Sequence, residues 1–287
     1  MTCSSEIRSS DPLPLGRDAP DLPPAWPDEL DLRLPWNAAR FLAAIFGRRR
    51  AVHLPAQLPG AERIPRYVLQ EFHRLPNGFY SRRVANGYAR QFDRTMLGAT
   101  VEARKAIVSR AGQAECVLDL GCGDGKLAQS FVDSGARDVW ALDACPYLLQ
   151  LGARARPAVK FVHGAAEDLP FPSERFDAIA ACFLFHELPP KAARSALFEC
   201  SRSLKPGGRL VLCEPAPDQL QRGAWLRSTR AHGWRGAYFT ALARWMFEPF
   251  VELWQRTDFG PWFASAGLQW IEDHTEFPCR YFVARKA

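Results

Sequence analysis

From residue 115 onward the chain alternates short apolar runs with segments of helical period. CVLDL (116–120), DVWALD (138–143), KFVHG (160–164), FDAIAACFLF (176–185) and GRLVLCE (208–214) read as strands. KLAQSFVDSG, PYLLQLGARA and PKAARSALFECSRSL, lying between them, read as helices. Near-continuous apolar strands separated by helices are what a parallel sheet covered on both faces requires. The last two runs, LQWIEDHTEF and CRYFVARKA, are separated by Pro278 with no room for a helix. They predict an antiparallel hairpin added to the parallel sheet.

The first third has a different pattern. Residues 64–110 read as helical, with Val84, Tyr88, Phe92 and Met96 forming one apolar stripe after the turn signal Pro76-Asn77-Gly78. Upstream, PWNAARFLAAIFGRRR (35–50) predicts a short apolar helix ending in three arginines. One reading docks this helix on the body, its arginines complementing the helix dipole. The other lays it on an anionic lipid surface, which makes residues 35–50 a peripheral membrane contact. Residues 1–35 hold seven prolines and little periodicity, and read as a disordered or loosely draped tail. The expected organisation is therefore a Pro-rich tail (1–35), a basic helical extension (36–104) and an α/β domain (105–287).

Residues 215–266 are too long to be a mere connection. They hold 11 of the chain's 34 aromatics. Phe239, Leu242, Met246, Phe250 and Leu253 recur at helical spacing, while Trp245, Phe247 and Trp254 lie off that stripe. A helix apolar on more than one face must be covered twice. One face is expected on the sheet, and the other is expected to pack or to serve as a lid over an apolar pocket.

The net charge of +6 is uneven: −4 over residues 1–35, +10 over 36–110 and 0 over 111–287. The basic character belongs to one segment. The eight cysteines never form CxxC, so neither zinc nor a disulfide framework is indicated, and a reducing cytosol is expected. The start, MTCSSEIRSSD, has no secretory apolar core, and no apolar run reaches the roughly 18 residues that cross a bilayer.

The candidate chemistry begins at VLDLGCGDGKLA (117–128). Parallel sheets bind ligands beyond the carboxyl ends of their strands. Gly121 and Gly123 let the backbone bend and a ligand approach, and the helix that follows favours a negative ligand group. The run departs from the G-x-G-x-x-G of dinucleotide sites and carries acids at 119 and 124. Acids repel phosphate but suit an ammonium. The loop is suited to a ligand with both a carboxylate and an ammonium.

This loop resembles motif I of the class I S-adenosylmethionine-dependent methyltransferases. GAAEDLPFPSERFDAIAACFLFHELP (164–189) and LKPGGRLVLCEP (204–215) resemble later motifs of the ubiquinone/menaquinone-type members, and the resemblance covers about residues 105–287. It implies a Rossmann-like, mostly parallel seven-stranded sheet of order 3-2-1-4-5-7-6. The last strand would be antiparallel, with helices on both faces. It implies S-adenosylmethionine as cofactor, with Asp119, Gly121 and Gly123 at the methionine end and Asp143, followed by Ala144, at the ribose. Cys122 and Cys182 would pack beside it. Where the family usually has Asp or Asn for the adenine amino group, this chain has Ala165, so backbone at Ala166 with help from Glu167 is expected instead.

For the acceptor, the lid argues for a hydrophobic or aromatic small molecule methylated at O, C, N or S. His186, after the fourth strand, is a candidate general base with a pKa naturally near neutral, and Glu214, ending the fifth, is a second. The alternative for His186 is capping of the next helix. His163 and His232 read as structural or exposed, and Tyr88 as a candidate cofactor contact. Two other functions compete: a nucleic-acid methyltransferase using the basic segment 36–110, and a non-catalytic cofactor-binding regulator favoured by Ala165. Against nucleic acid stand the neutral catalytic half and the lack of an NPPY-like tetrapeptide. A dehydrogenase fits least.

Overall fold

The computed structural model describes residues 15–16, 18–221 and 223–287. Seven strands form one sheet: β1 (Cys116–Leu120), β2 (Asp138–Asp143), β3 (Lys160–His163), β4 (Phe176–Cys182), β5 (Leu204–Pro215), β6 (Leu268–Glu276) and β7 (Cys279–Lys286). Their order is β3-β2-β1-β4-β5-β7-β6. β1 to β5 run parallel, and β7 is antiparallel to both neighbours. The Rossmann-like sheet and its closing hairpin are thus as the sequence implied.

The strands alternate between two cores, which is why they read as continuous apolar runs. Leu118, Leu120, Ile179 and Leu212 face a layer containing α6 (Pro190–Ser203) and the aromatic pair Phe259 and Phe263. Val117, Val139, Ala180 and Val211 face α3 (Ala99–Ala111) and α4 (Lys126–Asp133), through Ala103, Ile107, Leu127 and Phe131. A domain boundary at 104/105 would cut α3, whose buried face lies against the sheet. The whole of α3 belongs to the sheet domain.

Ahead of α3 come α1 (Pro35–Phe46) and α2 (Arg82–Thr95). The helix expected from residue 64 begins only at 82, where Ser81 caps α2 by accepting the Val84 N–H. Residues 48–81 are irregular backbone with single 3-10 turns, satisfied by buried polar side chains. Glu71 accepts the N–H groups of Arg50 and Asn77, and Asn77 exchanges hydrogen bonds with the backbone of His53.

The loose tail expected over 1–35 is corrected in its described part; residues 1–14 lie outside the described residues. α5 (Pro146–Ala155) holds this segment: Gln150 bonds the backbone of Leu22 and Pro20, and the Tyr147 hydroxyl donates to the Pro23 carbonyl. Leu22, Ala25 and Leu30 are buried. Prolines broke the periodicity, yet backbone-directed bonds still seat the chain.

The stripe expected over 239–253 is not one helix. α7 (Ala224–Trp245) stops before Glu248-Pro249, and α8 (Val251–Arg256) and α9 (Gly260–Ser265) follow. Trp254 is buried in the sheet's core layer, while Leu253 is half exposed. The aromatic-rich segment therefore divides: its C-terminal half joins that core layer, and α7 packs through Phe239 in a separate cluster with Met96 and Ala99. Among the described residues no helix is long and apolar enough to cross a membrane.

Candidate functional site

Strand order reverses between β1 and β4, so their carboxyl ends diverge and leave a crevice. A cavity of about 160 Å³ occupies it. Asp119, Gly121, Cys122, Gly123, Asp143, Ala144, Ala166 and Cys182 all line it, as does Tyr88. At the bend Gly121 has φ +69°, and a Cβ there would meet Leu184 Cδ1 at 2.7 Å. Gly123 has φ +54°, and a Cβ there would meet only Leu148 at 4.0 Å, so this backbone faces open space.

The acids are tied to the bend. Asp119 accepts the Ala128 N–H at 2.8 Å, capping α4. Asp143 accepts the N–H groups of Gly123 at 2.8 Å and Cys145 at 2.7 Å. Burial pushes the Asp119 carboxyl up to about 7 and that of Asp143 up to about 6. A cavity with two under-stabilised carboxylates favours a ligand that brings positive charge and hydroxyl donors. Two cations also reach the wall. Arg104 and Lys126 both pair with Asp93, at 2.9 and 3.1 Å, and could turn to a ligand carboxylate. The donor set fits the methionine end and ribose of S-adenosylmethionine.

Glu167 departs from expectation. Its carboxylate accepts the Tyr67 hydroxyl at 2.7 and 2.9 Å and does not line the cavity, whereas Tyr67 does. Gly164, Ala165 and Ala166 bring only backbone and small side chains to this wall of the cavity. His163 bonds the Ala144 carbonyl at 3.1 Å, and burial lowers its pKa to about 4, a structural role.

His186 and Glu214 are also not where they were expected. Both are buried, and neither lines the first cavity. Glu214 Oε2 lies 2.5 Å from His186 Nδ1, and the carboxylate also accepts the N–H groups of Leu184, Phe185 and His186. Its accepting capacity is spent, so Glu214 positions the loop. His186 Nε2 points toward Glu248 at 3.7 Å. Burial alone would depress the His186 imidazolium, but Glu248 and Glu214 outweigh it and hold its pKa well above the ordinary value. An imidazole whose two flanking carboxylates favour its protonated form is poorly suited to take up a further proton.

Sequence reasoning missed the partners. His73 Nε2 lies 3.0 Å from Glu187 and 3.3 Å from Glu248, at ion-pair distance but without aligned hydrogen bonds. Burial opposes its charge, yet the two carboxylates raise its pKa to about 9. Burial likewise opposes ionisation of Glu248, and His186 with His73 overcomes it, holding Glu248 well below the carboxylate range. His73 gave no periodic signal because it sits in an irregular turn at φ +54°. Its N–H bonds the Phe247 carbonyl, which brings it beside Glu248. Glu248 did have a signal: it is the first acid after Asp218 in an aromatic-rich stretch.

His73, His186 and Glu248 line a second cavity of about 40 Å³, with Phe239, Leu242 and Ala243 of α7 and Met246 just after it. Phe92 and Phe183 line both cavities and divide them. Glu187 lines the first and touches His73 of the second, so the acid–imidazole chain crosses from one to the other.

Comparison with known proteins shows the family. A methyltransferase-domain family model matches residues 117–208, from β1 to the turn within β5. An uncharacterised methyltransferase of Synechocystis sp. is 32% identical over 55% of this chain and 68% of its own length. The chain belongs to the class I S-adenosylmethionine-dependent methyltransferases. A demethylmenaquinone methyltransferase of Renibacterium salmoninarum is 35% identical over 46% of this methyltransferase and 55% of the relative. The chain spans about half the length of the demethylmenaquinone methyltransferases it matches (55%, 46% and 51%). In fold it resembles a Methanococcus maripaludis protein assigned as an S-adenosylmethionine-dependent methyltransferase. That likeness has a TM-score of 0.53 at 16% identity, over 72% of this chain and 93% of that one.

Proposed function

We propose that the protein transfers a methyl group from S-adenosylmethionine to a small apolar acceptor of the hydroquinone class, held in the second cavity. One observation carries this reading. An apolar pocket adjoins the cofactor crevice across Phe92 and Phe183, and charged imidazoles line it. The relatives named for demethylmenaquinone methylation support an aromatic ring as acceptor.

Bound S-adenosylmethionine supplies an electrophilic methyl on a sulfonium sulfur. Asp119 would hold the ammonium, Asp143 the ribose hydroxyls, and Arg104 or Lys126 the carboxylate. The aromatic wall of Phe79, Tyr88 and Phe92, with ring centroids 4.8 and 4.7 Å apart, excludes water on the open side. Orientation of two reactants in this way can supply on the order of 7–11 kcal/mol of the barrier.

A hydroquinone hydroxyl placed against His73 and His186 meets two imidazolium groups, which favour its ionised form. Glu248, ionised between them, keeps both imidazoles cationic, and the released proton passes to solvent. The ring carbon beside the resulting oxyanion is electron-rich and attacks the methyl carbon. The displaced electron pair would remain on sulfur, and the ring would regain its aromaticity by releasing its C–H proton to solvent.

Incubation with methyl-labelled cofactor and a demethylated naphthohydroquinone tests this. Mass spectrometry should show the gain of one methylene. An unchanged naphthohydroquinone, with S-adenosylhomocysteine still binding, would reject the acceptor class while leaving the cofactor site standing.

A further inference from the structure

Two stretches of this chain, 32–61 and 219–247, contain ten arginines and no carboxylate residue. The whole chain is +6, so everything outside them sums to −4. The same stretches hold seven of the twelve exposed large hydrophobic side chains among the described residues, including every exposed tryptophan. Trp36 is 67% exposed, Phe46 68% and Trp234 68%. A soluble surface ordinarily separates aromatics from such charge excess, whereas a helix resting on a bilayer combines them.

The two stretches meet in space. Phe46, at the end of α1, lies 6.3 Å from Trp245, at the end of α7. The Arg49 guanidinium sits 3.4 Å over the Phe247 ring, and Arg74 Nε donates to the Trp245 carbonyl at 2.7 Å. α1 buries only Ala44 against the body, so its apolar side is left largely uncovered. α7 is broken at Gly233 (φ +60°, ψ −144°) and doubles back so tightly that a Cβ on Gly236 would lie 1.9 Å from the Ser228 carbonyl oxygen. The bend carries Trp234, with Arg230 and Arg235 beside it, all exposed.

We propose that α1 and α7 form one docking surface for an anionic membrane, with the tryptophans at the headgroup boundary and the arginines on lipid phosphates. The inner side of α7 is a wall of the second cavity, through Phe239, Leu242 and Ala243. Docking would bring that cavity against the bilayer, where an apolar acceptor dissolves. The surface itself rests on charge and exposure and holds whatever the acceptor is.

The test is flotation of the full chain with phosphatidylcholine vesicles and with phosphatidylcholine vesicles containing phosphatidylglycerol. The expected result is flotation with the anionic vesicles, weakened by salt. Arg40→Glu and Arg235→Glu should each lower the vesicle partition about five-fold or more. Trp36→Ala and Trp234→Ala should lower it at every salt concentration. Unchanged S-adenosylhomocysteine binding would show that each variant is folded. Protein that floats with neither vesicle, or variants that float as the parent does, would overturn the proposal. So would tight, salt-sensitive binding of a random RNA oligonucleotide without vesicle binding, which would assign the surface to nucleic acid.

Discussion

Nδ1 of His186 lies 2.5 Å from Oε2 of Glu214, with both side chains inside the core. The same carboxylate accepts three successive backbone N–H groups of the loop after β4. It therefore sets the path of Phe183 and Leu184, which line the cofactor crevice, as well as the direction of the imidazole. Glu214→Gln keeps the volume but removes the charge and half the accepting oxygens. Breaking one side of a buried ion pair typically costs about 3–5 kcal/mol. Urea denaturation should show a loss of that order; an unchanged midpoint would mean the carboxylate does not hold this loop.

Asp119 titrates near neutrality because burial disfavours its charge. A ligand that brings an ammonium favours the ionised form, so binding should release a proton below about pH 7. S-adenosylhomocysteine affinity should rise between pH 6 and pH 8, and then level off. Calorimetry in two buffers of different ionisation enthalpy counts the proton directly. Equal apparent heats at pH 6.5 would place the ammonium elsewhere.

Asp143 keeps the bend closed through Gly123 while presenting its remaining lone pairs to the cavity. Asp143→Ala should weaken S-adenosylhomocysteine binding by roughly 1–3 kcal/mol, the usual cost of lost buried hydrogen bonds. Affinity equal to the parent's would remove Asp143 from the ribose site.

The sheet was legible because its central strands are buried on both faces: a run such as Cys116–Leu120 reads as a central strand. The cofactor loop was legible because glycine and acid types recur within a few residues. The acceptor side was not. His73 lies in a turn held by Glu71 and Asn77 without any regular period, and its carboxylate partner is brought to it by a bond to Phe247, distant in sequence. Glu167 looked available for adenine until Tyr67, 100 residues away, claimed it. His186 was chosen for its unperturbed pKa, but the carboxylates that raise it come from β5 and from the segment after α7. Local pattern reports what a residue offers, and only the packed chain reports what has already taken the offer.

His73 should leave a signature in stability against pH. Its folded pKa of about 9 exceeds the ordinary 6.5, so its contribution is complete below pH 6.5 and is lost as pH rises through about 9. A shift of that size is worth on the order of 3 kcal/mol. Asp119 and Asp143, also raised, lose stability earlier, through about pH 7 and pH 6. A comparison separates the histidine: His73→Gln should lessen the fall in melting temperature between pH 7 and pH 9.5, with His186 supplying the remainder, but leave the fall below pH 7 in place. Parallel curves for parent and variant would show that His73 is neutral in the folded protein.

Glu248 is the residue on which the acceptor chemistry turns. It is ionised, lies 3.3 Å from His73 and 3.7 Å from His186, and lines the apolar cavity and not the cofactor crevice. Glu248→Gln removes the charge that keeps the two imidazoles cationic. It should leave S-adenosylhomocysteine binding intact and slow methyl transfer by roughly 10²–10³-fold as the oxyanion loses those partners. A purely structural loss would slow every acceptor alike. Loss of oxyanion stabilisation should matter less as the acceptor's own hydroxyl becomes more acidic, so a ring-fluorinated hydroquinone should recover part of the rate in the variant. The rate should also rise with pH there, since hydroxide ionises the acceptor directly. An equal deficit for fluorinated and parent hydroquinones, at every pH, would separate Glu248 from ionisation of the acceptor.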